Sequence, residues 1–187
     1  MARASLIFFL LVTMSGLGAF AQKQNPGSIT IKMWDYCDPA TFGAGCSRST
    51  AGGIITFGGF LAEITTEQSV GAWRFSPSDL IVEEGTPAIT VANVGGEAHT
   101  FTRVKEFGGG FVAILNTLSG TNTPAPECAR VVNGRLAPQP FGPRNLFVPP
   151  GATLAAAGFA GDETVNVQCC IHPWMRSTIN GHHDDKK

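Results

Sequence analysis

The chain predicts an all-β fold, an antiparallel β-sandwich forming one domain. Three observations lead there: several short β-prone runs, turn-forming residues between them, and few stretches with helical periodicity. The sequence has 187 residues, and its start stands apart from the fold. "MARASLIFFLLVTMSGLGAFAQ" sets Arg3 ahead of an apolar run from Leu6 to Val12 and ends in Ala19 and Ala21, an A-x-A pattern. That is the layout of a secretory signal peptide over residues 1–21, cleaved after Ala21. The apolar run is much shorter than the roughly 20 residues a membrane-spanning helix needs. Export to the periplasm or the exterior is therefore expected, with no membrane span after cleavage. The remaining length, about 166 residues, suits one domain with a sizeable core. Lys and Arg number 13 against 14 Asp and Glu. Because Arg3 is the one base in the leader, the processed chain is mildly acidic, and neither nucleic acid nor an anionic membrane is implied.

The elements follow in order. "SITIKMW" (28–34) alternates polar and apolar residues and predicts a strand. "DYCDPATFGAGC" is a Gly/Pro/Asp-rich loop bracketed by Cys37 and Cys46. "GIITFGGFLAEITTEQSVG" predicts a strand followed by a short helix near Phe60 to Glu67. From Trp73 onward the β-prone runs are "LIV", "AITVANV" and "HTFTRV", separated by "EEGTP" and "GGEA", which are turn chemistry. Residues 107–151 are rich in Gly, Pro and Asn and too long for a hairpin loop, so they are expected to hold some irregular structure with a short helix or strand. "TVNVQCC" is a last alternating strand, "IHPWM" the loop it feeds, and "INGHHDDKK" a polar, frayed tail.

Chemistry concentrates at 168–175, "QCCIHPWM". Side chains on a strand alternate between faces, so Cys169 and Cys170 point opposite ways and only one can share a site with His172 and Met175. A thiolate, an imidazole and a thioether together suit copper, whose blue-type sites add a second histidine. The other histidines are His99, His182 and His183. The last two lie in the tail, where a specific site lacks supporting contacts. His99 sits where a β run breaks into "GGEA" and resumes, a junction that can hold a ligand rigidly.

At these residues the chain resembles the cupredoxins, the type 1 (blue) copper proteins. Asn93 to His99 reads N-x5-H, and Cys169, His172 and Met175 read C-x2-H-x2-M, a ligand loop most similar to that of amicyanin and plastocyanin-like members. The resemblance spans Trp73 to Asn180. It implies a Greek-key sandwich with its core at 73–180, an N-terminal extension at 22–72 packed on the same domain, a flexible tail at 181–187, and a long insertion between His99 and Cys169, within 107–148. It implies that Cys169 rather than Cys170 binds the metal, with His99 and His172 in one plane and Met175 as a weak axial ligand to one copper ion cycling between Cu(I) and Cu(II). Asn93, Thr100, Pro173 and Trp174 would support the site. Thr100 stands where many members have asparagine, and its hydroxyl would have to supply the corresponding tether.

The cysteines number five, and exported cysteines not held by a metal tend to pair. With Cys169 as ligand, Cys37, Cys46, Cys128 and Cys170 can form two disulfides in three ways. Cys37 with Cys46 is a local loop closure that would leave Cys128 with Cys170; a vicinal Cys169–Cys170 bond would destroy the metal site.

The family implies single-electron transfer between transiently docked redox partner proteins by a monomer. His172 is expected as the exit edge, within an apolar patch of Pro173, Trp174 and Phe141 or Phe147, and Glu97 as a solvated turn residue. Two other classes stand beside this one: a copper carrier or storage protein, and a copper-free cupredoxin-like binding module. No enzyme is expected. A copper oxidase or reductase needs further copper centres and more histidines than the four present, and "FGGGF" lacks the Lys-Ser/Thr of a phosphate-binding loop.

Overall fold

The computed structural model describes residues 29–50, 52–83, 89–156 and 164–182. The expected signal segment and residues 183–187 of the expected tail lie outside the described residues. The fold is a β-sandwich. One sheet has the order β2 (Arg74–Ser76), β1 (Ile29–Trp34), β4 (Ile89–Asn93) and β9 (Thr153–Ala156). The other runs β3 (Asp79–Glu83), β11 (Arg176–His182), β10 (Val165–Gln168), β5 (His99–Val104) and β8 (Asn145–Val148). The chain passes from one sheet to the other between β2 and β3, β3 and β4, β4 and β5, β8 and β9, and β9 and β10, the crossings of a Greek-key arrangement.

Alternation in "ITIKMW" puts Ile31 and Met33 on the inner face of β1, where both are fully buried. Facing them across the core are Phe101, Val167 and Ile179 of the second sheet. Phe75 of β2 meets Phe101 of β5 edge to face at 5.6 Å, bridging the two sheets. Two pairings are parallel rather than antiparallel, β1 with β4 and β3 with β11. Each joins strands far apart in sequence, so no tight hairpin imposes an antiparallel register.

The segment anticipated as an extension contributes β1, an inner strand with neighbours on both sides. It also carries α1 (Pro39–Phe42) and α2 (Phe57–Glu67). The Thr56 hydroxyl accepts the Gly59 N–H at 3.1 Å to cap α2, and Gln68 closes it in the left-handed conformation. The strand β11 was missing from the sequence reading. It takes in Gly181 and His182 of the expected tail through pairing with β3, because polar side chains such as Thr178 and Asn180 alternate with the buried Ile179 on a half-exposed strand.

Within 107–148 lie α3 (Ala113–Leu118) and a hairpin of β6 (Ala129–Val132) and β7 (Arg135–Pro138), turned by Asn133-Gly134 with φ of 51° and 73°. Besides the Gln168 side chain, which bonds both the N–H and the carbonyl of Gly108, two ties fasten this insertion to the residue pair that follows β10. One is the Cys128–Cys170 disulfide; the other is the Phe111 N–H donated to the Cys170 carbonyl at 2.9 Å. The chain turns in so closely at Gly110 that a Cβ there would run into that same carbonyl. Gly110→Ala is therefore expected to lower stability by about 1–3 kcal/mol, measured as a denaturant midpoint shift at constant slope. Gly142→Ala, where a Cβ meets nothing within 4 Å, should change stability by less than about 0.5 kcal/mol.

Candidate metal centre

His99 opens β5, and Cys169 follows the last residue of β10. These strands are antiparallel neighbours, with Gln168 opposite Thr102. The register sets Cys170 beside Thr100 and brings Cys169 to the end of the sheet where His99 lies. The loop then folds back on itself: the Cys169 N–H donates to the Met175 carbonyl at 3.0 Å, and the Met175 N–H to the His172 carbonyl at 2.9 Å. That turn presents His172 to the same point.

The result is a compact triangle. The Nδ1 atoms of His99 and His172 are 3.2 Å apart, and the Cys169 Sγ is 3.9 Å from the first and 3.8 Å from the second. All three residues are buried. Such edges are what ligand atoms at roughly 2.0–2.3 Å from one centre subtend, so the donors are already spaced to share one metal ion. Met175 is 1 % exposed and belongs to the same buried cluster as Cys169.

Each histidine is oriented from behind by a carboxylate. His99 Nε2 lies 2.9 Å from Asp35 Oδ2, and His172 Nε2 lies 3.4 Å from Glu97 Oε2. A proton on each Nε2 then faces a carboxylate, leaving both Nδ1 lone pairs directed into the triangle. The sulfur is supported as well, accepting the Thr100 N–H at 3.3 Å and the His172 N–H at 3.5 Å. Burial alone would raise the Cys169 thiol, but the hydrogen bonds and charge of His172 and His99 outweigh it and hold the group well below the ordinary thiol value. Burial likewise works against a charged His172; Cys169 and Glu97 overcome it and raise that group to about 10. His99 is raised against its burial by Asp35 and Cys169.

The supporting positions anticipated from sequence all lie here. Asn93 donates from Nδ2 to the carbonyls of Glu97 and Val148, at 2.8 and 2.9 Å, and accepts the Gly95 N–H, shaping the turn before His99. Thr100 accepts the Cys170 N–H on its hydroxyl at 2.6 Å, while its own N–H reaches the sulfur. Pro173 is buried, and its carbonyl accepts the Arg176 Nε–H at 2.8 Å. Trp174 stands against the His172 ring at 5.4 Å. Cys37 pairs with Cys46 and Cys128 with Cys170, leaving Cys169 free.

Two expectations are corrected. Glu97 is not a solvated turn residue: its side chain is 15 % exposed, takes the Trp73 indole N–H and faces His172. Nor does His172 present an edge to solvent, since it is 4 % exposed with its Nε2 turned to Glu97. Phe141 and Phe147, named as patch residues, pair with each other at 5.2 Å, whereas the ring neighbours of His172 are His99 and Trp174. Sequence reasoning missed Asp35 altogether. It is fully buried, and the one available clue was an acidic residue directly after a strand and two positions before a cysteine.

Replacing Asp35 by Ala frees the His99 ring to rotate and is expected to weaken metal binding about 10–100-fold. Titration of the apoprotein with copper(II) measures this, and an unchanged affinity would remove Asp35 from the site. In comparisons with known proteins, no family model matches the chain, and no curated protein matches it in sequence. Among solved structures, it is similar to a novel purple cupredoxin from Nitrosopumilus maritimus, over 83 % of this chain and 100 % of that chain, at 14 % identity and a TM-score of 0.39.

Proposed function

We propose that the protein is an exported, mononuclear type 1 copper protein that carries single electrons between redox partners. The observation that carries this reading is the buried triangle of one cysteine sulfur and two imidazole Nδ1 atoms, spaced to share a single ion. That donor set, with a methionine at the end of the same loop, suits copper of the blue type. Bound copper supplies a one-electron couple.

The chain's own residues do the rest. His99, Cys169 and His172 would hold the ion, with Met175 as a further, weaker ligand. Asp35 and Glu97 fix the rings, and the two backbone N–H groups on Cys169 Sγ hold the sulfur. A site whose ligands are fixed on both sides rearranges little between oxidation states. Burial keeps water and small molecules from a position a reaction would need open. A storage role would call for a methionine-lined site, and the other methionine after the leader, Met33, is fully buried in the core on β1.

The expected outcome on adding copper(II) to the purified protein is a strong thiolate-to-copper absorption band in the visible. Cys169→Ser should abolish it while the protein stays folded by circular dichroism. Cys170→Ser should keep it, with stability lower by about 4 kcal/mol, the chain-entropy figure for a loop closed across 42 positions. A colourless wild-type protein in copper(II) would dismiss the type 1 site.

A further inference from the structure

The proposed copper site leaves a gap, and this inference rests on that reading. Electrons must reach a partner, yet His172 is enclosed and its Nε2 faces Glu97. The ring that touches it from outside is Trp174. The Trp174 indole N–H is pinned to the Val70 carbonyl at 3.3 Å, and its ring lies 5.9 Å from Phe60 on α2. Phe60 stacks on Phe57 at 6.3 Å, with the planes 10° apart. Phe57 is 45 % exposed. Three aromatic rings, Trp174, Phe60 and Phe57, therefore run in succession from the candidate ligand to the surface.

The surface they reach is unusual for a helix. Ile54, Phe57 and Leu61 are 62 %, 45 % and 38 % exposed, and the stretch "IITFGGFLA" (54–62) carries no charge. Between the apolar side chains sit Gly58 and Gly59, which are poor helix formers. Internal packing does not require them. A Cβ at Gly58 would meet only the Thr56 hydroxyl at 4.0 Å, and at Gly59 ordinary contacts of 3.4 and 3.6 Å. Glycine there leaves the outer face beside the Phe57 ring free of side chains.

We infer that electrons cross between the copper site and its partner through Trp174 and Phe60, and that the outer face of α2 around Phe57 is where an electron-carrying protein with an apolar contact surface docks. The face suits a small, short-lived interface. In each transfer one electron leaves copper(I), which becomes copper(II), and reduces the partner's centre by one; no bond forms or breaks.

The test attaches a thiol-reactive ruthenium polypyridyl complex to Leu61→Cys in the copper-loaded protein, where Cys169 is buried. A flash in the presence of a dissolved electron-accepting quencher gives ruthenium(III) and the reduced quencher; ruthenium(III) then takes one electron from copper(I), and the growing visible band records the rate. The same label on Val131→Cys, 71 % exposed on β6, is the control. Phe60→Leu, which touches no candidate ligand, should slow the reaction several-fold from position 61 and leave it unchanged from position 131. Trp174→Phe, which keeps a ring against His172, should retain most of the rate from position 61.

Docking is read separately from electron self-exchange between two copies, by NMR line broadening in mixed oxidised and reduced samples. Leu61→Lys should slow it and Val131→Lys should not. Rates insensitive to Phe60→Leu, or self-exchange insensitive to Leu61→Lys, overturn the route or the docking face while leaving the copper reading intact. A wild-type protein with no thiolate band overturns both.

Discussion

The Asp35 carboxylate has no solvent exposure, and a buried charge of this kind costs several kcal/mol unless its partners are complete. Here they are. Oδ2 faces His99 Nε2 and accepts the Glu97 N–H at 3.1 Å; Oδ1 accepts the Gly96 N–H at 2.8 Å and the Cys37 N–H at 3.4 Å. Burial alone would raise Asp35, but the bonds and charge of His99 and the two turn amides bring it below its ordinary value. The group is therefore a negative hub joining the end of β1, the turn before β5 and a metal-facing ring. The local sequence follows from it. A Cβ at Gly95 would collide with the carboxylate, and one at Gly96 with the Arg48 carbonyl and Cys37 Sγ, so "GG" is required by how closely the turn wraps Asp35. The Cys37–Cys46 disulfide and the Thr50 hydroxyl, bonded to the Asp35 carbonyl at 2.6 Å, hold the other side of the hub.

A second tether works from the opposite flank, and it separates the two adjacent cysteines by function. Strand alternation turns Cys169 toward the histidines and Cys170 toward Val104, Ala125 and Cys128, a small apolar cluster of its own. The disulfide from Cys170 anchors the insertion, and the Thr100 hydroxyl accepts the Cys170 N–H. The Thr102 hydroxyl stands 3.1 Å from that of Thr100 and donates to Asn145 Oδ1 at 2.7 Å, carrying the network across to β8. Thr100 thus supports both neighbours at once, by its backbone to Cys169 Sγ and by its side chain to Cys170. One residue does this because the β5–β10 register places it between them.

The parts of the site legible in sequence were those fixed by spacing along one segment or by strand alternation. Cys169, His172 and Met175 share one loop; the opposite orientation of Cys169 and Cys170 follows from strand geometry; His99 was distinguished by its place at a strand start. The two-sheet architecture was legible because runs such as "HTFTRV" are bounded by turn residues, and that run became β5 at both ends. What escaped depended on contacts between distant residues. Asp35 and His99 are 64 positions apart, and nothing in "MWDYC" says which histidine the carboxylate will meet. Glu97 resembled a solvated residue because "GGEA" is turn chemistry, yet Trp73 and His172 close over it. The parallel pairings of β1 with β4 and of β3 with β11 also lie beyond local reading, since each joins strands far apart in sequence.

Enclosure of the site sets a physical problem that the covering segment resolves. Carboxylates behind both rings orient the imidazoles and add negative charge near the metal position, where it favours the more highly charged state of a bound ion. The same arrangement turns the outer nitrogen of His172 away from solvent, so holding the ligand and exposing it are in conflict. A polar or aliphatic cover would resolve the first requirement and worsen the second. The segment from β1 to α2 instead packs phenyl groups against the indoles of Trp73 and Trp174: Phe42 lies 5.3, 5.7 and 5.7 Å from Phe57, Phe60 and Trp73, and Phe60 joins Trp73 to Trp174. This cluster excludes water as well as aliphatic side chains would, and it keeps a continuous set of π-systems between His172 and α2. The residues that read as an extension to a smaller sandwich thus supply an inner strand, the buried carboxylate, and an aromatic cover that shields the candidate site while linking it to the surface.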